Sequence, residues 1–422
     1  MTYSILERTF ARLLNRCPVL KKRIKKGYQY LNFFIFRSRT PFESPYSLHK
    51  VDSTQLSTFF GYYDKSPLNH SETHIIYHRT SKPTHQLPDP HSPVEIILKE
   101  CHSKKEITID KSYAYNWQQG SRLQWLDSNR FIYNDYSSKS ENYVSKIANI
   151  SSEKVEAQID FPIYDTFNNL AISLNFNRLN RMRPDYGYRN QNSDPFEEKW
   201  RDRDGLFLIH LNKNITKLLY SFRDILKIDY HPSFDQAEHK VNHIMINPDG
   251  SQFVFLHRYF VRGRKIDRLM LGDTKGSPLQ VLSQPMVSHY FWKNAQTIIG
   301  FLEHSTCGNG YYEIDILLKK TTPIHAALIN QLGDGHPSTF EDTILFDTYP
   351  NRSRMKDLYI YHAKSKSLNK IGSFFEPIFH TGENRCDLHP RFSPNGKQIF
   401  IDSVHDGSRN FYQINLQKRN ES

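Results

Sequence analysis

The segment HPRFSPNGKQIFI, residues 389–401, has the pattern of two short strands joined by a tight turn. The central PNG supplies the turn residues, and alternating apolar residues flank it on both sides. A second turn signal, DG at 406–407, comes next, and a third candidate strand, FYQINL, follows at 411–416. A series of short strands joined by tight turns is typical of one blade of a β-propeller.

The same unit recurs along the chain. Residues 243–255 read HIMINPDGSQFVF, and the histidine again stands five residues before the proline and ten before the first apolar residue of the next strand. Weaker copies begin at Tyr62, Arg122, His289 and His336, and the run 171–176 fills the remaining gap. Seven copies in roughly 360 residues predict an all-β, seven-bladed β-propeller, because a repeat of this length is one blade.

One stretch does not fit the repeat. Residues 181–204 include RPDYGYRNQNSDPFEEKW, which is too rich in Pro, Asn and Asp for a core strand. This composition predicts an insertion on one face of the propeller.

The repeats place one residue of each blade at the same point. In such a repeat the strand before the PDG or PNG turn is normally the innermost, so the residue at its start is expected at the mouth of the central channel. Six positions should therefore converge there: Tyr62, Arg122, His243, His289, His336 and His389. A single histidine at this position is more simply a structural residue that bonds neighbouring backbone. Four imidazoles and a guanidinium together would cost desolvation unless they bind something, so the set predicts a site.

HPRFSPNGK resembles the His-Pro-x-Phe-Ser-Pro-Asp-Gly repeat of the oligogalacturonate lyase group and of related Tol-type, WD-like propellers. HIMINPDGSQFVFLHR and MVSHYFW resemble a wider set of bacterial polysaccharide-handling propellers, and the resemblance covers about residues 60–416. It implies a glycan ligand. In the lyases several His and a Gln hold a divalent metal, and a His and an Arg act in elimination.

This sequence departs from the lyase pattern at two positions. His389 matches the first His of the lyase His-Pro-His element, but Arg391 stands at the second His and Cys386 at the Gln. An arginine in place of a metal ligand would neutralise a substrate carboxylate directly.

Elimination from a uronide needs a group that neutralises the C5 carboxylate and a base that removes the C5 proton. Histidine suits the base and arginine the carboxylate clamp. The predicted catalytic residues are His243, His289, Arg258, Arg391 and Tyr62. The predicted substrate-binding residues are Arg122, Tyr63, Trp125 and Trp292. The predicted ligands of a Mn, Ca or Zn ion are His243, His289, His336 and His389.

The leading hypothesis is a lyase-like enzyme that acts on an acidic, uronate-containing glycan in surface-polysaccharide metabolism. A non-catalytic glycan-binding or scaffold propeller of a polysaccharide biosynthesis complex is the first alternative. A glycoside hydrolase is the second, with Asp64, Glu303 and Asp387 as candidate acids. Under the enzyme hypothesis, His389→Ala and Arg391→Ala should each abolish activity and leave the melting temperature nearly unchanged, since both flank an inner strand.

The positive charge lies mainly in an N-terminal arm, expected at residues 1–48, before a propeller at 49–422. Residues 1–40 carry ten Lys/Arg and one acid, which is +9 of the formal +12. The propeller itself is close to neutral, so the high isoelectric point does not indicate a nucleic-acid partner.

The arm has the composition of an interrupted basic amphipathic helix with an aromatic end, YLNFFIF at 30–36. It predicts peripheral contact with an anionic membrane through residues 1–40, and it is too short in apolar length to span one. A helix packed across the bottom of the propeller is the alternative, and a mitochondrial presequence is a lesser one. The four cysteines show no paired spacing and no export signal is evident, so a cytoplasmic location, on the inner face of the membrane, is expected.

Overall fold

The computed structural model describes residues 18–36, 38, 40–191, 193–324 and 327–418. It contains seven antiparallel sheets, and each contacts the next one along the chain until the last meets the first. The predicted seven-bladed β-propeller is confirmed.

The strands of each blade are given from the innermost outward. Blade 1 has Ser57–Phe59, His74–Thr80, Val94–Glu100 and Glu106–Ser112; blade 2 has Gln124–Trp125, Arg130–Ser137, Asn142–Asn149 and Lys154–Ile159. Blade 3 has Asp165–Phe167, Leu170–Leu174, Gly205–His210 and Ile215–Ser221; blade 4 has Glu238–Ile246, Gln252–Val261, Arg264–Asp273 and Gln280–Ser283.

Blade 5 has Val287–Trp292, Thr297–His304, Gly308–Asp315 and Lys320–Pro323. Blade 6 has Ser338–Phe340, Thr343–Asp347, Met355–His362 and Ser367–Phe375; blade 7 has Arg391–Phe392, Gln398–Ser403 and Asn410–Lys418. The described helices are Pro18–Phe36, Phe176–Met182, Trp200–Arg203, Phe222–Lys227 and Ala327–Leu332, with short 3₁₀ turns at Leu211–Lys213, Pro232–Gln236 and Gly382–Asn384.

Two strands that precede blade 1 in the sequence belong to the sheets of blades 6 and 7. Tyr46–Lys50 pairs with Asn410–Lys418 as the outermost strand of blade 7, and Phe42–Glu43 adds a fifth strand to blade 6. The expected domain boundary between residues 48 and 49 therefore falls inside a propeller strand. The repeat could not show this, since the pairing joins segments at opposite ends of the chain.

Packing between blades explains why the central residues of the second strands are buried. Phe131 to Asp135 and Phe253 to Tyr259 are buried throughout, because each blade is covered on both faces by its neighbours. Trp125 and Trp292 belong to this packing: their Nε1 atoms donate to Pro67 O and Met245 O of the preceding blade, each at 2.9 Å. The prediction that these two tryptophans bind substrate is corrected, because both indoles lie between blades.

The insertion lies between the second and third strands of blade 3. Asn175 caps its first helix by accepting from the backbone N–H of Asn177 and Arg178 at 2.9 and 3.1 Å. Arg178 Nε donates to Asp204 Oδ2 at 2.5 Å, which ties the beginning of the insertion to its end. The segment between them places Tyr186 against Tyr62 and His243.

The N-terminal helix Pro18–Phe36 begins with proline, which suits the first helical position because its missing N–H would have no partner there. Phe33 stacks on Phe375 of blade 6 with ring centroids 6.0 Å apart. Leu31, Phe34 and Ile35 are 57 %, 74 % and 62 % exposed.

The part of the predicted arm before residue 18 lies outside the described residues. In the part of the chain that the structure describes, no helix combines the length and apolar character needed to cross a membrane.

Buried neutral histidines predict that the fold loses stability in mild acid. Burial lowers the pKa of His78 and His380 to about 3 and of His239 and His405 to about 4. In the unfolded chain these groups titrate near about 6.5, so below that pH the unfolded state binds more protons. We expect the free energy of unfolding to fall as the pH drops from about 6.5 toward 4. Urea unfolding at a series of pH values checks this, and a flat profile over that window would contradict it.

Candidate functional site

The site is built on a repeated backbone feature at the start of the inner strands. His243 lies where the pairing register of blade 4 shifts, and its backbone is left-handed with φ 51°. His389 and Arg122 have φ 44° and 55° at the equivalent positions, and His289 lies at a register shift in blade 5. A bulge interrupts the strand pairing and re-aims a side chain, so these residues turn toward the channel mouth. Left-handed non-glycine residues are costly, and they often mark functional sites.

The structure brings the four histidines together. Ring centroids are 6.0 Å apart for His243 and His289, 4.2 Å for His289 and His336, and 4.5 Å for His336 and His389. Tyr62 closes the group, with its ring 5.2 Å from His243 and 4.9 Å from His389. All five side chains are buried. We call these five residues the imidazole cluster.

Two tyrosines of blade 1 fill the channel beside the cluster. Tyr62 Oη lies 2.8 Å from His243 Nδ1. Tyr63 Oη donates to Tyr290 O at 3.0 Å and accepts from Tyr290 N at 3.2 Å, so it bridges blades 1 and 5 across the channel. Burial raises the pKa of both tyrosines well above its usual value, which keeps both phenols protonated. Tyr63, predicted to bind substrate, therefore has its hydroxyl engaged by backbone.

Carboxylates orient two of the imidazoles. His289 Nδ1 is 3.1 Å from Asp334 Oδ1, and His336 Nδ1 is 2.9 Å from Asp347 Oδ1. In metal sites a ligating histidine commonly donates one ring N–H to a carboxylate, which directs the other nitrogen at the metal. His336 Nε2 is buried and has no hydrogen-bond partner among the described residues.

A candidate metal site lies between blades 6 and 7. One ligand atom from each of His336, Asp387 and His389 lies within 4.8 Å of the others. His389 Nε2, like that of His336, is buried without a hydrogen-bond partner in the part of the chain that the structure describes. Two orphaned ring nitrogens beside a carboxylate fit a divalent cation with mixed nitrogen and oxygen ligands, such as manganese or zinc.

The electrostatic environment separates the roles of these groups. Burial, together with His289, lowers the pKa of His243 well below its usual value, and burial with His336 does the same for His389. Both are therefore neutral near pH 7, as a base or a metal ligand requires. Burial also acts on His336, but Asp347 outweighs it and raises the pKa of that imidazole. Asp387 stays ionised because Arg385 and Lys356 hold its pKa well below the usual range against the effect of burial.

The insertion and the chain before His389 supply residues that sequence reasoning missed. Tyr186 packs on Tyr62 and His243 with ring centroids 5.8 and 5.2 Å away. The rim beside it is a chain of ion pairs, Arg183–Asp185–Arg385–Asp387, with contacts of 2.7, 2.7 and 2.6 Å. Arg385 and Asp387 stand four and two residues before His389, so their presence near the site could have been predicted from the sequence. Nothing in the sequence indicated where the insertion folds.

Arg122 does not present a free guanidinium. Its two terminal nitrogens bond the two oxygens of Asp64 at 3.1 and 2.7 Å, and its Cζ lies 4.2 Å from the centroid of Tyr164. The prediction that Arg122 clamps a substrate carboxylate is corrected, because both terminal nitrogens of its guanidinium already bond Asp64. Asp64 was one of the candidate acids for hydrolysis, and both of its carboxylate oxygens are bonded by Arg122.

Arg391 lies in the interface between blades 7 and 1. It donates to Gly61 O at 2.9 Å and Tyr62 O at 3.2 Å, and its Nη2 is 3.1 Å from Asp402 Oδ1. Its Cζ lies between the rings of Phe60 and Phe411 at 4.9 and 5.4 Å. This placement corrects the prediction that Arg391 is catalytic, since the guanidinium joins the two ends of the ring. Arg258, which bonds Asp267, is the predicted arginine that contributes to the low pKa of His243.

No protein-family model and no curated protein sequence matches the chain. Among solved structures, an oligogalacturonate lyase from Vibrio parahaemolyticus is similar with a TM-score of 0.57 and 12 % identity, over 89 % of this chain and 97 % of that one. The fold resemblance to that group is confirmed.

A second structure, titled as an oligogalacturonate lyase in complex with manganese, has a TM-score of 0.59 and 12 % identity, over 89 % of this chain and 94 % of that one. TolB from Acinetobacter baumannii has a TM-score of 0.39 and 11 % identity over 77 % of each chain. At these identities the likeness concerns the fold.

The different surroundings of Arg391 and His389 predict losses of stability of different size. Arg391→Ala should lower the free energy of unfolding by about 3–5 kcal/mol, because it leaves Asp402 buried without its cation. His389→Ala should cost less stability, because His389 Nε2 has no hydrogen bond to lose. Urea unfolding of both variants checks this, with the exposed Lys397→Ala as a control. Equal stability of all three variants would contradict the placement of Arg391.

Proposed function

We propose that the protein is a lyase-like enzyme that cleaves an acidic, uronate-containing glycan by β-elimination at the imidazole cluster, in the metabolism of a surface polysaccharide. The observation that carries the proposal is the pair of buried, partnerless Nε2 atoms of His336 and His389 beside ionised Asp387. The fold shared with oligogalacturonate lyases adds support. The manganese complex of one of them makes manganese the first metal to test.

The cation would be held by His336, His389 and Asp387. His289 lies beside this group, because its ring contacts that of His336. A bound divalent cation would neutralise the uronate carboxylate and so acidify the C5–H bond. Arg258 adds positive charge within electrostatic range of His243, which favours the same carboxylate.

His243 is the proposed base. When Tyr62 Oη accepts from His243 Nδ1–H, the lone pair on Nε2 is free to remove the C5 proton. The electron pair of the C5–H bond then forms the C4–C5 double bond, and the C4–O bond breaks. Tyr62 is protonated and touches both His243 and His389, so it is the proposed donor to the leaving oxygen.

A non-catalytic glycan-binding propeller is the second candidate function. The burial of the cluster favours it, because His336 and His389 are each only 1 % exposed and a sugar ring has limited access to them. A glycoside hydrolase has less support: Asp64 is bonded by Arg122, and Asp387 by Arg385 and Lys356. Glu303 is exposed on the second strand of blade 5.

Metal binding and elimination can be tested together with Mn²⁺ and oligogalacturonates. The wild-type protein should bind Mn²⁺ and generate the ultraviolet absorbance of an unsaturated uronide, and a chelator should abolish the absorbance. His336→Ala and His389→Ala should lose both properties, while His243→Ala should lose elimination and keep Mn²⁺. Asp347→Asn should weaken Mn²⁺ binding by about 10–100-fold, because it frees the His336 ring. Titration calorimetry and absorbance are the two readouts.

His49→Ala is the matched control, because His49 is exposed on the outermost strand of blade 7. Binding of the oligosaccharide without any new absorbance would favour the non-catalytic candidate. Release of reducing ends without absorbance would favour hydrolysis. Wild-type protein that binds no Mn²⁺ would overturn the metal part of the proposal.

We also propose that the helix Pro18–Phe36 attaches the protein to an anionic membrane surface, on the cytoplasmic side. The helix sequence carries five Lys/Arg and no acid, and it presents Leu31, Phe34 and Ile35 to solvent. Aromatic and aliphatic side chains combined with basic ones are the composition that binds anionic interfaces.

Deleting residues 1–40 should abolish sedimentation with vesicles that contain phosphatidylglycerol and leave a folded propeller. The deletion spares Phe42–Glu43 and Tyr46–Lys50, so the ring stays closed. High salt should weaken binding of the full chain by screening, and neutral phosphatidylcholine vesicles are the control. Unfolding or aggregation of the truncated protein would instead make the helix part of the fold.

A further inference from the structure

Lys240 belongs to blade 4, whereas the candidate metal site lies between blades 6 and 7. Lys240 lies on the inner strand of blade 4 and pairs directly with Arg258 of the second strand, and Arg258 pairs in turn with Asp267 of the third. Directly opposed residues of antiparallel strands share one face of the sheet. Lys240, Arg258 and Arg183 all contribute to the low pKa of His243, so all three lie within electrostatic range of that ring.

The ammonium of Lys240 is buried and unsatisfied. The residue is 1 % exposed, and its Nζ has no hydrogen-bond partner among the described residues. A lysine ammonium carries three donors, and burying it without an acceptor is costly. Burial, Arg258 and Arg183 together lower its pKa well below the usual value, so the charged form is disfavoured until an anion lies beside it.

A second buried lysine in the same chain shows how such a group is normally satisfied. Lys356 Nζ donates to Glu376 Oε1 at 2.8 Å and to Cys386 O at 2.7 Å, and lies 3.3 Å from Asp387 Oδ1. Its pKa is raised despite burial, because these acids surround it. Lys240 therefore differs in having no acceptor, not in being buried.

The acids near Lys240 are engaged elsewhere. Asp267 bonds Arg258 and lies 3.2 Å from Lys265 Nζ. Asp185 is 2.7 Å from both Arg183 and Arg385. Positive charge around Lys240 thus exceeds negative charge, with Lys240 and Arg258 deep and Arg183 at the rim.

We propose that Lys240, Arg258 and Arg183 form an oxyanion-binding subsite beside His243, which takes a carboxylate or a phosphate group. An oxyanion would accept the three unused donors of Lys240 and neutralise the excess charge. Two sources have this chemistry: a uronate carboxylate of the glycan, and free inorganic phosphate. The subsite goes beyond the elimination step, because it concerns binding and needs no turnover.

The test compares the wild-type protein with Lys240→Met in metal-free buffer, with phosphate, trigalacturonate and neutral maltotriose as probes. Calorimetry measures binding, and circular dichroism follows thermal unfolding. Lys240→Met should weaken oxyanion binding by about 30-fold or more, because it removes a buried charge partner. It should not lower the melting temperature of the free protein, since no hydrogen bond is lost. Lys240→Arg should retain binding, and Lys275→Met, exposed on the same blade, is the matched control.

The outcomes separate the two sources. Binding of trigalacturonate but not phosphate would assign the subsite to the glycan, and binding of phosphate would assign it to the free anion. The proposal is overturned if neither anion binds better than maltotriose, or if Lys240→Met binds them as well as the wild type does. Since no product is measured, this result is independent of whether His243 catalyses elimination.

Discussion

The pairing of Tyr46–Lys50 with Asn410–Lys418 joins two segments from opposite ends of the chain, and the rest of the structure depends on it. Equivalent positions of different blades can converge on one point only if the blades form a closed ring. Arg391 reinforces the same junction from inside, since it bonds backbone carbonyls of blade 1 from blade 7. The geometry of the imidazole cluster is therefore a consequence of ring closure, because its members come from five different blades.

Closure also explains how so many polar groups are tolerated at the centre. Each one is costly to bury unless it has a partner. Most have one: Tyr63 spans the channel to Tyr290, Arg122 is paired with Asp64, and Asp347 holds His336. The buried side-chain atoms that have no hydrogen-bond partner among the described residues include the Nε2 atoms of His336 and His389, at blades 6 and 7, and Nζ of Lys240, in blade 4.

The two unsatisfied groups have opposite chemical preferences. The imidazoles of His336 and His389 and an ionised carboxylate at blades 6 and 7 suit a cation. The lysine and arginines on the side of blade 4 suit an anion. A ligand that carries carboxylates could meet a bound cation on one side and the basic groups on the other, with His243 and Tyr62 between them. Tyr186 of the insertion covers the same point and limits the access of solvent.

The sequence by itself determined the number of blades, the equivalence of the histidine positions and their convergence. A repeat is a local pattern, and its period alone fixes where each copy stands around the axis. Only the tertiary structure decided which polar residues are free. Each of the three predicted arginines is paired with a carboxylate: Arg122 with Asp64 of the neighbouring blade, and Arg258 and Arg391 with Asp267 and Asp402 of the adjacent strands. The burial of the Trp125 and Trp292 indoles between blades and the lack of a partner for Lys240 could not be predicted for the same reason. Whether a buried group has a partner depends on contacts between strands and between blades, which no local pattern records.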